Sequence, residues 1–222
     1  MERHLDDELQ KLNKNLMGIA AMAEEAIHKS IEALRTQNKQ MAEACIQDDY
    51  KIDEMELQIE EETIELLALF QPMARDLRFI TTAMRINNEI ERIADLTVNI
   101  CQRVKELKGP VLMINELPLL TDIAKWMVKS AIDAFVRHDD NMAREVILKD
   151  SEANKLRTLI IDKLVDDNLV KDGALARRII PLLLVTRDPE RICDQAKYIA
   201  EEVIYLVEAK VVKHHPERLQ TN

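Results

Sequence analysis

Between Ile86 and Leu107 the residues Ile86, Ile90, Ile93, Thr97, Ile100, Val104 and Leu107 recur at alternating spacings of four and three. That period lays one stripe along a single face of an α-helix, and a strand, whose faces alternate every second residue, cannot use it. The same habit runs through Met41, Cys45, Ile52, Met55, Ile59, Leu66 and Phe70, and again through Leu182, Val185, Ile192, Ala196, Ile199 and Val203. Such stripes are core faces that need other helices to cover them. The chain holds only three glycines in 222 residues, where average usage of roughly 7% gives about 15. With aromatic residues at 3% and six prolines, it lacks the turn and strand chemistry of a sandwich, barrel or doubly wound sheet. Gly18, Gly109 and Gly173 lie too far apart to write a nucleotide-binding glycine loop. The fold class is all-α.

Breakers predict six long helices, over about 5–35, 39–69, 72–107, 118–137, 140–165 and 173–212, with Pro72 suited to the first turn of the third. The halves read as copies. Gln40-Met41-Ala42 returns as Asn141-Met142-Ala143, Asp49 falls on Asp150, and Ile31-Glu32-Ala33-Leu34 falls on Ile132-Asp133-Ala134-Phe135. Further on, Glu91-Arg92-Ile93-Ala94-Asp95 matches Glu190-Arg191-Ile192-Cys193-Asp194. The expected architecture is therefore two tandem, similar three-helix bundles, 1–108 and 118–215, joined by a connecting segment at 109–117 that is rich in breakers.

The formal net charge is −10, the wrong sign for nucleic acid or an anionic membrane surface. The strongest apolar stretch, 179–185, is far short of a membrane span and contains Pro181, which argues against membrane insertion. Met1 to Asp7 lacks the basic-then-apolar profile of a signal peptide. Cys45, Cys101 and Cys193 are odd in number and widely spaced, so no disulfide framework or thiolate zinc site is indicated. A cytoplasmic location is expected.

A chain this acidic holds about seven or eight i,i+4 acidic pairs by chance, so a single one carries little. The repeated Glu-Arg-Ile-x-Asp carries more, because it recurs at equivalent places in both halves. Glu91 and Asp95 lie roughly 140° and 180° from the centre of the apolar seam, hence on the outer face of their helix. Asp49, Asp53, Glu56 and Glu60 follow one flank of the second helix and are expected to converge with them. Carboxylates on adjacent helices make a hard, all-oxygen site suited to Mg, Mn, Ca or iron. The alternative is a solvated polar face. The second copy is poorer, with Asn154, Arg157 and Ile161 in place of Asp53, Glu56 and Glu60. Catalytic readings are weaker still. Glu25-Ala26-Ile27-His28 is one Glu-x-x-His turn where a di-iron bundle needs two. Ser30 and Ser151 have no base or oxyanion loop beside them, and His214-His215 reads as a solvated tail. Nothing requires an enzyme.

Two longer motifs complete the pattern: Gln71-Pro72-Met73-Ala74-Arg75-Asp76-Leu77-Arg78, and Glu91 through Ile100 ending in Asn99-Ile100. With the paired Glu-Arg-Ile-x-Asp, they make the chain resemble the PhoU family over nearly its whole length. Ala94, Cys193 and Asn154 depart from the family pattern, and the second half lacks a counterpart of the 71–78 motif. The resemblance implies a non-catalytic negative regulator of phosphate uptake and phosphate-starvation signalling, an adaptor between a phosphate ABC transporter and a membrane sensor histidine kinase. It also implies iron or zinc on the bundle surface, held by Asp49, Asp53, Glu91 and Asp95 in a first site and by Asp150, Glu190 and Asp194 in a second. Long helices with exposed apolar faces are compatible with a homodimer.

Overall fold

The computed structural model of the chain describes residues 2–107, 115–165 and 173–213. Seven helices and no strands occur among them: α1 (Glu2–Thr36), α2 (Lys39–Asp48), α3 (Tyr50–Phe70), α4 (Ala74–Glu106), α5 (Glu116–Arg137), α6 (Asp140–Val165) and α7 (Gly173–Glu208). Helices α2 and α3 together occupy the place of the expected second helix. Asp49 separates them yet keeps right-handed helical dihedrals (φ −59°, ψ −36°), and its carbonyl accepts from both Ile52 (2.8 Å) and Asp53 (3.2 Å). The helix is thus tightened at Asp49 and continues through it.

Three boundaries differ from expectation. Gln71 adopts the left-handed conformation (φ 47°, ψ 53°) that ends α3, consistent with the bias against right-handed helix before a proline. Pro72 therefore lies in the link, and α4 starts at Ala74. α5 begins at Glu116, inside the segment expected to connect the repeats; the rest of that segment, to residue 114, lies outside the described residues. α7 stops at Glu208, where Ala209 turns left-handed (φ 56°) with its N–H on the Tyr205 carbonyl at 2.9 Å.

The internal repeat is visible in the backbone of one turn. Gln37 (φ 51°) ends α1, Asn38 N–H donates back to the Ala33 carbonyl at 2.9 Å, and the Asn38 side chain accepts from Gln40 and Met41 N–H groups. His138 (φ 52°) ends α5, Asp139 N–H donates to Ala134 at 2.9 Å, and the Asp139 side chain accepts from Asn141 and Met142. In each copy an αL residue closes one helix and an Asx cap opens the next.

In the first repeat, α1, α2 and α3 pack on α4; in the second, α5 and α6 pack on α7. The repeats join through α4 against α7 and α1 against α5. Every residue of the predicted α4 seam is buried, as is every residue of the 182–203 stripe, within one continuous core. Arg103 donates to Asp188 at 3.0 Å and Arg85 to Glu202 at 3.0 Å, setting α4 and α7 antiparallel. Asp188 is only 2% exposed, so the Arg103 guanidinium compensates a charge inside the repeat interface.

Candidate functional site

The tightened turn at Asp49 directs the α2–α3 flank along the side of α4 that carries Glu91 and Asp95. Asn87, buried one turn before Glu91, donates from Nδ2 to the Glu56 carbonyl at 3.0 Å and pins α3 to α4 at this level. Sequence periodicity gave no sign of that contact, since Asn87 reads as one more polar position.

Asp49, Glu56 and Glu91 are half-buried, whereas Asp53, Glu60 and Asp95 are exposed. Glu91 is less outward-facing than its helical phase implies because α3 covers one of its sides. Burial, reinforced by Asp95, Glu56 and Asp53 and opposed by Arg92, pushes its carboxyl up to about 7. Burial, with Asp53 and Asp95, pushes Asp49 up to about 6. Glu56 is raised by burial, Glu60 and Asp53. The six expected carboxylates thus do share one neighbourhood. Among the described residues, none of them forms an ion pair with a lysine or arginine; Arg92 leans to Glu89 at 3.6 Å.

The second repeat brings Asp150, Glu190 and Asp194 together but surrounds them differently. Asp150 is 7% exposed and accepts from Lys197 Nζ at 2.9 Å and Asn154 Nδ2 at 3.3 Å. Arg157 Nε lies 3.6 Å from Glu190. Glu190 is raised by burial, with Arg157 opposing and Asp194 and Asp150 adding to the rise. Asp194 is raised by burial and Asp150, with Lys197, Arg157 and Arg191 opposing. Lys197 is raised: burial works against its charge, but the hydrogen bond and charge of Asp150 prevail.

The carboxylates of both neighbourhoods are oxygen donors, the chemistry of a hard cation. Among the described residues, no three His, Cys, Asp or Glu side chains are gathered as a ready-made ligand shell. The carboxylates face one another along helix flanks, and a cation would have to draw them in by rotamer changes. His28 is exposed and Glu25 pairs with Lys29 at 2.9 Å, so that Glu-x-x-His turn faces outward. Ser30 and Ser151 donate to helix carbonyls of Ile27 and Leu148. His214 and His215 lie outside the described residues.

The 71–78 motif builds a separate feature. Arg75, Asp76 and Arg78 open α4 along the wall of a cleft of about 610 Å³, which Asp6 of α1, His138 of the α5–α6 turn and Leu206 of α7 complete. Both repeats therefore contribute to it. Arg78 Nε is buried without a hydrogen-bond partner, and among the described residues neither Arg75 nor Arg78 forms an ion pair. His138 is lowered by burial and by Arg75.

The PhoU domain family model matches twice, over residues 16–104 and 117–203. A phosphate-specific transport system accessory protein PhoU homolog from Clostridium acetobutylicum is 32% identical over 210 residues, covering 93% of this chain and 95% of the relative. A protein of the same description from Aquifex aeolicus is 34% identical, covering 93% and 94%. The crystal structure of the phosphate transport system regulatory protein PhoU from Streptococcus pneumoniae superposes with a TM-score of 0.88 at 27% identity, covering 94% of this chain and 99% of that one.

Proposed function

This chain belongs to the PhoU family, and on that premise we propose that it is a regulator of phosphate transport without catalytic activity. In this reading it is a cytoplasmic adaptor that restrains phosphate uptake and phosphate-starvation signalling by linking a phosphate ABC transporter to a membrane sensor histidine kinase. The observation that carries the adaptor reading is the cleft at the junction of the repeats. Its two arginines lack ion-pair partners among the described residues, and its walls come from α1, α4, α7 and the α5–α6 turn. A partner seated there touches both repeats at once and finds guanidinium donors for its carboxylates. No helix among the described residues is long and apolar enough to cross a membrane, so a link to membrane proteins rests on docking. Exposed Leu57 and Ile64, two turns apart on α3, supply an apolar row for the proposed homodimer.

Deleting the gene should leave phosphate-starvation genes switched on in phosphate-rich medium. The wild-type chain should restore repression, and Arg75→Glu, accumulating to the same level, should not. Normal repression in the deletion strain contradicts the proposal.

A second reading is favoured by the uncompensated first-repeat carboxylates. Asp49, Asp53, Glu91 and Asp95 suit an iron or other hard divalent cation, with zinc the poorer match to an all-oxygen set. When bound, the cation supplies the positive charge that the protein does not place there itself. Asp150, Glu190 and Asp194 form the corresponding second set, for which Lys197 and Arg157 compete with any cation.

A further inference from the structure

The groove between α5 and α6 differs from the matching groove of the first repeat. Its volume is about 530 Å³, and Leu119, Ile123, Trp126, Leu156 and Leu159 line it. Leu119, Trp126 and Leu159 are 54%, 41% and 43% exposed, so the core does not account for them. The repeat offset that sets Asp49 on Asp150 sets Gly18, Glu25 and Gln58 on these three places. There the groove is filled and bridged. A Cβ on Gly18 would lie 3.5 Å from the Met55 side chain. Lys29 of α1 pairs with Glu25 at 2.9 Å and reaches across to Asp48 at 3.3 Å, and Lys51 pairs with Asp48 at 2.6 Å. A cavity of about 160 Å³ is left. The second repeat holds Ser130 and Lys149 at the positions of Lys29 and Asp48, so the bridge across the groove cannot form.

On α5 the apolar residues at 119, 123 and 126 are four and three apart and share the groove with Leu156 and Leu159 of α6. That period is the seat of another helix, whose ridge of side chains fits between the two lips. Laid there, it completes a four-helix arrangement with α5, α6 and α7. The charges on the lips select the helix. Lys149 and Glu152 pair with each other at 2.6 Å, and Lys149 stands over the Trp126 ring at 5.8 Å. Between that contact and the ion pair of Lys163 with Glu116 lie Asp122 on the α5 lip and Lys155 on the α6 lip. Neither has an ion-pair partner among the described residues. We propose that this groove docks an amphipathic helix of a partner protein, with its apolar row between the lips, a basic residue of one flank against Asp122 and an acidic residue of the other against Lys155. The site is separate from the cleft at the junction of the repeats and does not depend on what that cleft binds.

The test uses the full chain, whose sole tryptophan is Trp126, so its emission reports the groove directly. Three tryptophan-free synthetic helical peptides share one row of leucines. The first carries lysine on one flank and glutamate on the other, the second lysine on both, the third glutamate on both. The mixed peptide should move Trp126 emission to shorter wavelength and shield it from acrylamide, and the other two should bind about fivefold more weakly. Lys155→Glu should transfer the preference to the all-lysine peptide. Leu159→Gln, which copies the first repeat, should weaken the mixed peptide at least about tenfold. Leu119→Gln serves as the second variant, and circular dichroism checks that each folds. No shift with any peptide, equal affinity for all three, or binding that survives both leucine substitutions overturns the proposal. So does emission that moves with protein concentration alone, which seats a second copy in the groove, or with decanoate and no peptide, which makes it a fatty-acid site. The readout involves neither Arg75 nor the response to phosphate, so its failure leaves the regulatory reading standing.

Discussion

The two repeats place carboxylates at equivalent points, Asp49 with Asp150, Glu91 with Glu190 and Asp95 with Asp194, and then treat them in opposite ways. In the second repeat Lys197 and Asn154 bind Asp150 and Arg157 approaches Glu190. In the first, the corresponding positions hold Val98, Asp53 and Glu56. Charge there accumulates until Glu91 rises to about 7 and Asp49 to about 6. A shared motif thus does not fix the electrostatics of a site; residues one turn away decide whether its charge is neutralised internally or left for an outside partner.

The largest effect should come from removing the internal cation. Lys197→Met leaves Asp150 buried beside Glu190 and Asp194 and should cost about 2 kcal/mol in urea unfolding, below a fully buried pair because Lys197 is 31% exposed. Val98→Met, the same residue at the matching place, should change stability far less. Next, carrying the second-repeat pattern into the first, as Asp53→Asn with Glu56→Arg, should weaken Mn²⁺ binding at least about tenfold, or roughly 1.4 kcal/mol, in a calorimetric titration. Unchanged affinity would remove these flanking residues from the site.

A smaller effect is the response to pH. Folding raises Glu91 and Asp49 from 4.5 and 3.8 to about 7 and about 6. Across that window the folded chain binds more protons than the unfolded one, so this part of the stability falls as pH rises from about 4 to 7. Glu91→Gln with Asp49→Asn should flatten that slope in unfolding midpoints measured across the window. Cation binding must displace the same protons and should weaken on acidification. Smallest of all, Asp95→Asn should stabilise the metal-free chain by about 0.5 kcal/mol through relief of like-charge repulsion at i,i+4, whereas the same unfolding measurement should find no such gain for Asp150→Asn.

The helical class and its core were readable because the stripe ending at Leu107 has one period and almost no glycine interrupts the chain. The tightening at Asp49 and the stop at Glu208 were not, because an aspartate within a helix and an alanine in the left-handed region carry no local signature. Asp49, Glu91 and Asp95 were readable through repetition, and Asp53, Glu56 and Glu60 only through their place along one helix flank. Lys197 was not, because its role depends on α7 facing α6. The cleft that joins the 71–78 motif to His138 arises only when the two repeats dock. Local pattern reports elements and repeated residues; pairing across elements comes from packing.

The most direct test of the difference between the repeats is metal content by mass spectrometry on protein purified without chelator or affinity tag, comparing wild type, Glu91→Gln/Asp95→Asn and Glu190→Gln/Asp194→Asn. The account predicts near-stoichiometric metal in wild type, its loss in the first variant and its retention in the second. Metal that survives the first pair and disappears with the second, or none in wild type, would contradict it.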